Sequence, residues 1–416
     1  MDSLPLEVIG NILSLLGGAR AVMIASATCR KWREACRRHL HTLSFRIDDG
    51  ASFRELTTSQ LEILITQTVF QTCGLQGLCI YLDDGHEFSA STVIAWLMYT
   101  RETLRTLKCN VRTTSDVNIL EICGRQKLEA LELSHNLITG VEPYFQRFPC
   151  LKSLFLSHVS ISALDLTLLL SACPKLEKLE LISPEIAISD GQVTITSPTL
   201  KSMYFEAITL DKFILEADSI EYLHVKDCAL ELFELVGKGT LKHFKIDDVS
   251  VIQLDIGETL DYLEVVDVSN FTIFWPKFYH IICKSSKLKK LRLWDVVFDD
   301  DENVDLETIA VCFPELNHLA LNYELKEGVL SYGVEGAAHL ENVCVLELGW
   351  TVISELFSQW VEGMLKHCPN LKKLVVHGVV SEAKTHEESQ MLADFTSSMV
   401  HLMRKYHYVD VRFEYE

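Results

Sequence analysis

The feature that most constrains the fold of this chain is a repeated apolar motif that runs through most of its 416 residues. The motif has the form L-x-x-L-x-L, and other apolar residues replace leucine at some positions. From Leu104 onward, eleven successive steps of 19 to 28 residues separate the copies. A unit of this length cannot bury its apolar face alone, so neighbouring units must stack. The motif starts at Leu40, Leu75, Leu104, Leu128, Leu151, Leu176, Leu200, Ile220, Leu241, Leu260, Leu288, Leu316, Val343 and Leu371, with a weaker copy at Tyr406.

This motif and spacing are typical of leucine-rich repeats, in which one strand per repeat lines the concave side of a horseshoe. Long steps contain helical patterns that end just before a proline, over 162–172, 306–312 and 354–367. Steps of about 20 residues between Leu200 and Leu260 are too short for a full helix and predict a strand with a tight connection. The predicted fold class is an α/β solenoid: three N-terminal helices, then a leucine-rich-repeat horseshoe with a parallel concave sheet and a convex side of mixed helices and loops.

Charge divides the chain into two parts. The whole chain has 38 Lys and Arg against 58 Asp and Glu, a net charge of −20, but the first 46 residues carry +4 and the remainder −24. Nucleic-acid binding depends largely on cationic contacts to phosphate, and anionic membranes also attract cations. We therefore expect neither a nucleic acid nor a membrane as partner, and the two parts are expected to face different partners.

The cysteines and the N-terminal sequence favour a reducing compartment. The chain has 13 cysteines, an odd number, and none form a C-x-x-C pair. The first ten residues, MDSLPLEVIG, resemble no secretory signal, and no apolar stretch approaches the length of a bilayer span. We expect reduced cysteines in an intracellular protein of the nucleus, the cytoplasm or both.

The first 46 residues predict a small helical head. Pro5 suits a first helical turn, an apolar stripe follows it, and Gly17-Gly18 ends the helix. Two further short helices are expected from Arg20 to Ala27 and from about Thr28. Three short helices make a marginal core and carry more apolar residues than they can bury, so part of this surface should dock elsewhere.

The head also resembles a known family. Its phrases Leu4-Pro5-x-Glu7-Val8, Ile12-Leu13-Ser14-x-Leu16 and Ala25-Ser26-x-x-Cys29-Arg30-x-Trp32-Arg33 are similar, in order and spacing, to an F-box. Repeat phrases such as Cys173-Pro-x-Leu176 resemble those of plant F-box/leucine-rich-repeat proteins. The resemblance implies that the head binds the adaptor Skp1, and through it the cullin and RING subunits of a ubiquitin ligase. One departure is Gly17-Gly18-Ala19-Arg20, which stands where the family has a polar, often acidic loop.

Two sets of candidate binding residues follow. The predicted Skp1-binding surface comprises Leu4, Pro5, Val8, Ile9, Ile12, Leu13, Leu16, Val22, Cys29 and Trp32. Side chains that lie between the motif leucines should point to the concave face, because side chains alternate along a strand. The predicted substrate-binding residues there are Phe155, Tyr204, Tyr222, His224, Lys245, Tyr262, Arg292 and Trp294. Aromatic residues and arginine typify protein-binding hot spots, although a cross-strand ladder that only stabilises the sheet is the alternative.

The predicted organisation is an F-box over 1–46, about 13–14 repeats over 47–398, and a C-terminal cap over 399–416. The predicted function is substrate recognition in a Skp1–cullin–F-box ubiquitin ligase. The alternatives are a ligase-independent interaction scaffold and, less favoured, a small-molecule co-receptor. The target protein, its degron, any required modification and the oligomeric state stay open.

Enzyme signatures do not support catalysis by this chain. Gly237-Lys-Gly239 lacks a third glycine, His386-Glu387 lacks a second histidine, and no G-x-S-x-G motif or P-loop occurs. We therefore expect a non-catalytic subunit with no cofactor and no metal. The acidic run Asp299–Glu302 could attract calcium, but it lacks the alternation and glycine of an EF-hand and fits a solvated loop better.

Overall fold

The computed structural model describes residues 4–46, 56–82, 85–123, 127–141, 148–187, 192–257, 260–273, 275–298, 304–323, 325–326, 329–330, 332–333, 339–350, 355–378 and 386–415. The chain forms two compact units, Met1–Asp218 and Ser219–Glu416. In the described part of the chain, no helix is both long and apolar enough to cross a membrane. The acidic run Asp299–Glu302 lies outside the described residues.

Three helices form the head, as predicted: α1 Leu6–Leu15, α2 Ala19–Ala27 and α3 Arg30–His39. Pro5 caps α1 in an extended conformation, and Gly17, with φ of +76°, turns the chain before α2. Apolar side chains from all three helices meet in the interior. The buried residues are Ile9, Leu13, Ala19, Val22 and Ala35, and Leu40 joins them just after α3.

Seven strands of the first unit follow the repeated motif and pair in parallel, each with the next repeat: β1 Thr42–Arg46, β2 Gly77–Tyr81, β4 Thr106–Asn110, β6 Ala130–Ser134, β8 Ser153–Ser157, β10 Lys178–Ile182 and β13 Ser202–Glu206. The motif residues at the second and fourth strand positions are buried in every repeat, beginning with Leu43 and Phe45. Because β1 pairs with β2, the repeat sheet begins inside the range predicted for the F-box.

The remaining elements of the first unit connect these strands. Helices are α4 Thr58–Gln71, α5 Ala90–Thr100, α6 Ile119–Ile122 and α7 Ala163–Ser171. Short strands are β3 Glu87–Phe88, β5 Arg112–Thr113, β7 Leu137–Ile138, β9 Ser160–Ser162, β11 Glu185–Ala187, β12 Gln192–Thr196 and β14 Thr209–Glu216. The Ser162 side chain accepts the backbone N–H of Asp165, which explains why α7 starts where the sequence predicts it.

The second unit repeats the arrangement with eight parallel strands: β15 Tyr222–Val236, β16 His243–Asp255, β17 Val265–Ile273, β18 Lys290–Phe298, β20 His318–Tyr323, β24 Val345–Trp350, β25 Lys373–Gly378 and β26 Asp410–Tyr415. Its helices are α8 Trp275–Ile282, α9 Leu306–Cys312, α10 Glu355–His367 and α11 His386–Lys405. Short strands are β19 Val304–Asp305, β21 Leu325–Lys326, β22 Val329–Leu330 and β23 Tyr332–Gly333.

The described residues of the short repeats contain no helix, as their length predicts, but a second strand segment takes its place where the sequence predicts only a tight connection. Strands β15 and β16 each turn after five residues, where Asp227 and Asp248 take φ of 49° and 51°. Beyond Asp227 the chain stays extended and buries Cys228 and Leu230 and then, after a shift of one residue, Phe233 and Leu235. A left-handed residue also follows the motif strands at His135, His158, Ser183, Ala207 and Asn270. Each such residue turns the chain out of its motif strand.

Two repeats lie in a different register from the one predicted. The motif Leu260/Leu263/Val265 places Val265 inward, but β17 starts at Val265, and Val266 and Val268 are the buried pair. The backbone N–H of Leu263 donates to Leu260 O at 3.0 Å, and this turn delays the strand by three residues. At the C-terminus, Val411 and Phe413 pair with Leu374 and Val376, two residues later than the weak copy predicts.

The C-terminal segment also begins earlier than predicted. Helix α11 starts at His386, within the segment 381–390 that the sequence favours as a loop or a weak helix start, and ahead of the predicted cap. Residues 381–385 lie outside the described part of the chain. Phe395, Met399 and Leu402 are buried, and β26 then adds the last strand to the sheet of this unit.

Candidate binding surfaces

The head presents only part of the predicted adaptor surface. Val8 and Leu16 are 40% and 43% exposed, Pro5 and Cys29 are exposed, and Leu4, Ile12 and Trp32 are half-buried. The structure corrects the prediction for Ile9, Leu13 and Val22, which are buried and hold the three helices together. These three side chains offer no surface to a partner in this conformation.

Two further apolar residues of the head were not assigned to this surface from sequence. Leu15 is 87% exposed at the end of α1, and Ile24 on α2 is 58% exposed. The signal for Leu15 is its spacing: Val8, Ile12 and Leu15 lie four and three residues apart, which places them on one face of a helix. The outward apolar face of α1 and its C-cap, formed by Val8, Ile12, Leu15 and Leu16, is named the head face below.

Side chains at the first, third and fifth positions of each motif strand point away from the core and form the open face of each unit's sheet. In the first unit, Phe155 and Tyr204 occupy third positions and are half-buried there, where the sequence places them. The Tyr204 hydroxyl donates to Glu206 within the same strand. Phe155 lies between Glu132 and Glu180 in register.

The charges on this open face form pairs with one another. Lys108 Nζ lies 2.6 Å from Glu132 Oε2, and Lys178 Nζ lies 2.5 Å from Glu180 Oε1. The Tyr81 hydroxyl also donates to Glu132, and burial, followed by this contact, raises the pKa of Tyr81. The open face of the first unit therefore contains one ion pair within a strand, Lys178 with Glu180, and cross-strand contacts at Glu132 of the kind that stabilise a sheet.

In the second unit, Tyr222, His224, Lys245, Arg292 and Trp294 all lie on the open face, as predicted. His224 is opposite Lys245 in register, and Lys245 is opposite Asp267, which is in turn opposite Arg292. Burial, and next the nearby Lys245 ammonium, lower the pKa of His224 to about 4, so its imidazole is uncharged at neutral pH.

Tyr262 is not part of this surface. It precedes β17 in the turn that shifts the register, and its ring lies 4.6 Å from Lys287 Nζ. Val265 instead occupies the first strand position, opposite His243, so a valine stands where the tyrosine ring was expected. The prediction for Tyr262 is therefore wrong, because the strand begins three residues beyond the motif.

Trp294 is the centre of a packed cluster on the open face of the second unit. A Cβ on Gly349 would lie 2.7 Å from the indole atoms Cη2 and Cζ2, so the ring crosses directly over this glycine. The ring of His377 meets the indole edge-on at 5.0 Å, and the Arg292 guanidinium lies 5.1 Å from the indole centroid. The missing side chain at Gly349 makes room for the tryptophan.

A carboxylate with two imidazoles lies beside this cluster. His318 Nε2 is 2.8 Å from Glu347 Oε1, and His377 Nε2 is 3.8 Å from Glu347 Oε2. The neighbouring His318 imidazole outweighs the effect of burial and lowers the pKa of Glu347 to about 2. Across the described ranges, no three His, Cys, Asp or Glu residues are arranged to hold a metal ion.

We expect Glu347→Gln to reduce stability in a pH-dependent way. The ordinary pKa of this carboxyl is 4.5 and the folded value is about 2, so its contribution is present above pH 4.5 and is lost as the pH falls towards 2. At pH 7 the free energy of unfolding of the variant should be about 1–2 kcal/mol lower than that of the natural chain. Urea titrations at pH 7, 4.5 and 3 would measure this difference, which should shrink at pH 3. A difference of equal size at every pH would contradict the assignment.

These features define a class of protein: an F-box head joined to an array of leucine-rich repeats. Residues 1–46 match the family described as F-box-like, and residues 117–265 match the family described as FBD-associated F-box protein At5g56370, LRR repeats. The chain is 71% identical over 419 residues to the F-box/LRR-repeat protein At1g67190 of Arabidopsis thaliana, and the match covers 100% of both chains. The chain belongs to the F-box/LRR-repeat protein family.

Two more distant relatives also have an F-box in their names, and one of them has leucine-rich repeats. The F-box protein At1g10780 of Arabidopsis thaliana is 22% identical over 435 residues, covering 97% of this chain and 98% of the relative. The F-box/LRR-repeat protein At4g14103 of the same plant is 23% identical over 399 residues and covers 92% of each chain. The resemblance to plant F-box/LRR proteins and the predicted α/β repeat fold are therefore confirmed.

Proposed function

We propose that this chain is the substrate-recognition subunit of a Skp1–cullin–F-box ubiquitin ligase. The observation that carries the proposal is the head face, where a helix of ten residues exposes Val8, Leu15 and Leu16 in a chain of the F-box family. Large apolar side chains clustered on a small helical head are typical of a protein-binding surface. A Skp1-like adaptor is the partner that the family resemblance implies.

The open faces of the repeats would then hold a target protein. Aromatic and cationic side chains on rigid strands suit a binding surface, because little conformational entropy is lost when they are covered. The chain itself would perform no chemistry in this role. It would raise the effective concentration of target lysines near the ubiquitin-loaded subunit.

Co-expression of the full chain with Skp1, followed by size-exclusion chromatography with mass determination, tests the proposal. We expect a 1:1 complex from the natural chain and loss of that complex from Leu15→Asp. Burying a leucine contributes about 1.5–3 kcal/mol, and a buried carboxylate adds a further cost, so affinity should fall at least ~100-fold.

Leu164→Asp is the matched control, because Leu164 is 68% exposed on α7 and lies outside the head. This variant should bind Skp1 like the natural chain. A folded natural chain that elutes without Skp1 would contradict the proposal and would favour a ligase-independent scaffold.

A further inference from the structure

The open face of the second unit carries a local excess of positive charge over its first four strands. At the first, third and fifth motif positions of these strands, Lys226, Lys245, Lys290 and Arg292 stand against two carboxylates, Asp247 and Asp267, although the chain as a whole has a net charge of −20. The two carboxylates already have partners. Asp247 accepts the Ser269 hydroxyl at 2.8 Å, and Asp267 lies 3.5 Å from Arg292 Nη1.

Lys290 makes no ion pair in the described ranges, although its charge helps to lower the pKa of Glu347. The other of these four cations without an ion pair to the described residues is Lys245. Its ammonium makes no ion pair or hydrogen bond with any residue in the described ranges, whereas Lys226 Nζ lies 3.6 Å from Asp227. Lys245 occupies the central row of the open face and is half-buried there. A half-buried charge interacts more strongly with a counter-charge than a fully solvated one, because less water screens it.

Polar and aromatic side chains surround this ammonium. The Tyr222 ring lies 6.0 Å from the His243 ring and 6.5 Å from the His224 ring, and His224 is next to Lys245 in register. Tyr222 and His243 are exposed. The four residues Tyr222, His224, His243 and Lys245 are named the basic patch below. The patch offers one cation with two rings that can contact the neighbouring parts of a ligand.

The first unit provides a contrast in the same strand positions. There, Lys108 and Lys178 each lie within 2.6 Å of a glutamate of the same open face. In each pair the glutamate carboxylate neutralises the lysine ammonium, so no charge is left for a ligand to neutralise. The basic patch lacks such a pair at Lys245, which distinguishes a binding surface from a stabilising ladder.

We propose that the basic patch binds a segment of the target protein that carries an anionic side chain, with Lys245 facing the anion and Tyr222 and His243 contacting the residues beside it. The inference rests on the proposed function, since it names the chemistry of the target. A carboxylate and a phosphate both supply this anion. A nucleic acid does not fit, because the patch has one uncommitted charge within an acidic chain and nucleic-acid affinity grows with the number of phosphates neutralised.

The inference is tested by passing three pools of synthetic peptides over the immobilised full chain and measuring how much of each pool is retained. The pools are short and identical in their randomised flanks, and they differ only in a central glutamate, phosphoserine or glutamine. At an ionic strength of about 0.15 M, the glutamate pool, the phosphoserine pool or both should be retained at least about tenfold more than the glutamine pool. Retention of both pools assigns the site to either anion, and retention of the phosphoserine pool alone assigns it to phosphate. Equal retention of all three pools would overturn the proposal.

Two charge-reversal variants locate the binding. Lys245→Glu should lose the preference for anionic pools. Lys366→Glu makes the same change in net charge on helix α10, where Lys366 is exposed and lies 3.4 Å from Glu362 Oε1, and it should keep the preference. Loss of the preference in both variants, or in neither, would exclude a specific site at Lys245.

The same proteins are tested for co-elution with Skp1, which separates this inference from the proposed function. A chain that holds Skp1 but shows no preference among the pools overturns the inference alone. A chain that prefers anionic pools but does not hold Skp1 contradicts the ligase role and leaves the basic patch supported.

Discussion

Gly10→Ala should loosen the head, although alanine is the better helix former. A Cβ at this position would lie 2.6 Å from the backbone oxygen of His39 and would also collide with the His39 Cβ, so α1 and α3 pack together only around a glycine. In an exposed helix the same change would stabilise by about 1 kcal/mol. Overpacking at Gly10 should instead destabilise the head by about 2–3 kcal/mol. This is a large fraction of the stabilising free energy that so small a group of helices provides.

Hydrogen exchange measured by mass spectrometry on peptides from α1 and α3 checks this prediction. Exchange in both helices should become roughly 30–100-fold faster, since local opening requires that much less free energy. Asn11→Ala, at the exposed next position of α1, is the control and should leave exchange unchanged or slower. If Gly10→Ala slowed exchange, helix propensity would outweigh packing and the close approach of α1 to α3 would be incorrect.

Gly349→Ala should disrupt the Trp294 cluster of the second unit. The new Cβ would lie 2.7 Å from the indole and would also meet the Asn322 side-chain oxygen, and both groups are held by their neighbours on the sheet. We expect a loss of about 2–3 kcal/mol in the free energy of unfolding, together with a change in tryptophan fluorescence as the indole moves.

A double-mutant cycle with Trp294→Ala isolates the cause. Without the indole, the Asn322 side chain has room to move away, so the cost of Gly349→Ala should fall below about 1 kcal/mol. Additive costs would show that the two positions do not interact and would contradict the placement of the ring over Gly349. The Leu164→Asp variant, distant from both residues in sequence and in the other unit, should not change either cost.

The repeat fold could be predicted almost completely from the sequence. The motif leucines recur at a spacing that is typical of stacked repeat units. They are buried in every repeat whose strand has the register that the motif predicts. The repeat at Leu260 shows where this reasoning fails. Leu260/Leu263/Val265 and Leu263/Val266/Val268 both satisfy the motif. The turn from Leu260 to Leu263 and the pairing of β17 with β16, which begins at the hydrogen bond from the Glu264 backbone N–H to Lys242 O at 2.8 Å, select the second register. Tyr262 consequently leaves the open face.

The candidate surface of the head was harder to predict for a related reason. Helix α1 has the sequence LEVIGNILSL, which is apolar on most sides. This hydrophobic pattern predicts a helix that packs against other elements, but it does not indicate which apolar side faces α3. The close approach at Gly10 settles that question, burying Ile9 and Leu13 and leaving Leu15 exposed.

By itself, the sequence determined that this chain is a helical head followed by stacked strand repeats, because apolar spacing and glycine and proline positions act locally. The tertiary structure alone decided which apolar residues of the head face outward and that Lys245 on the open face makes no ion pair with the described residues. Those outcomes depend on distances between residues far apart in the chain, such as Gly10 with His39 and Trp294 with Gly349. Such distances are set by strand register and helix packing, and no local pattern specifies them.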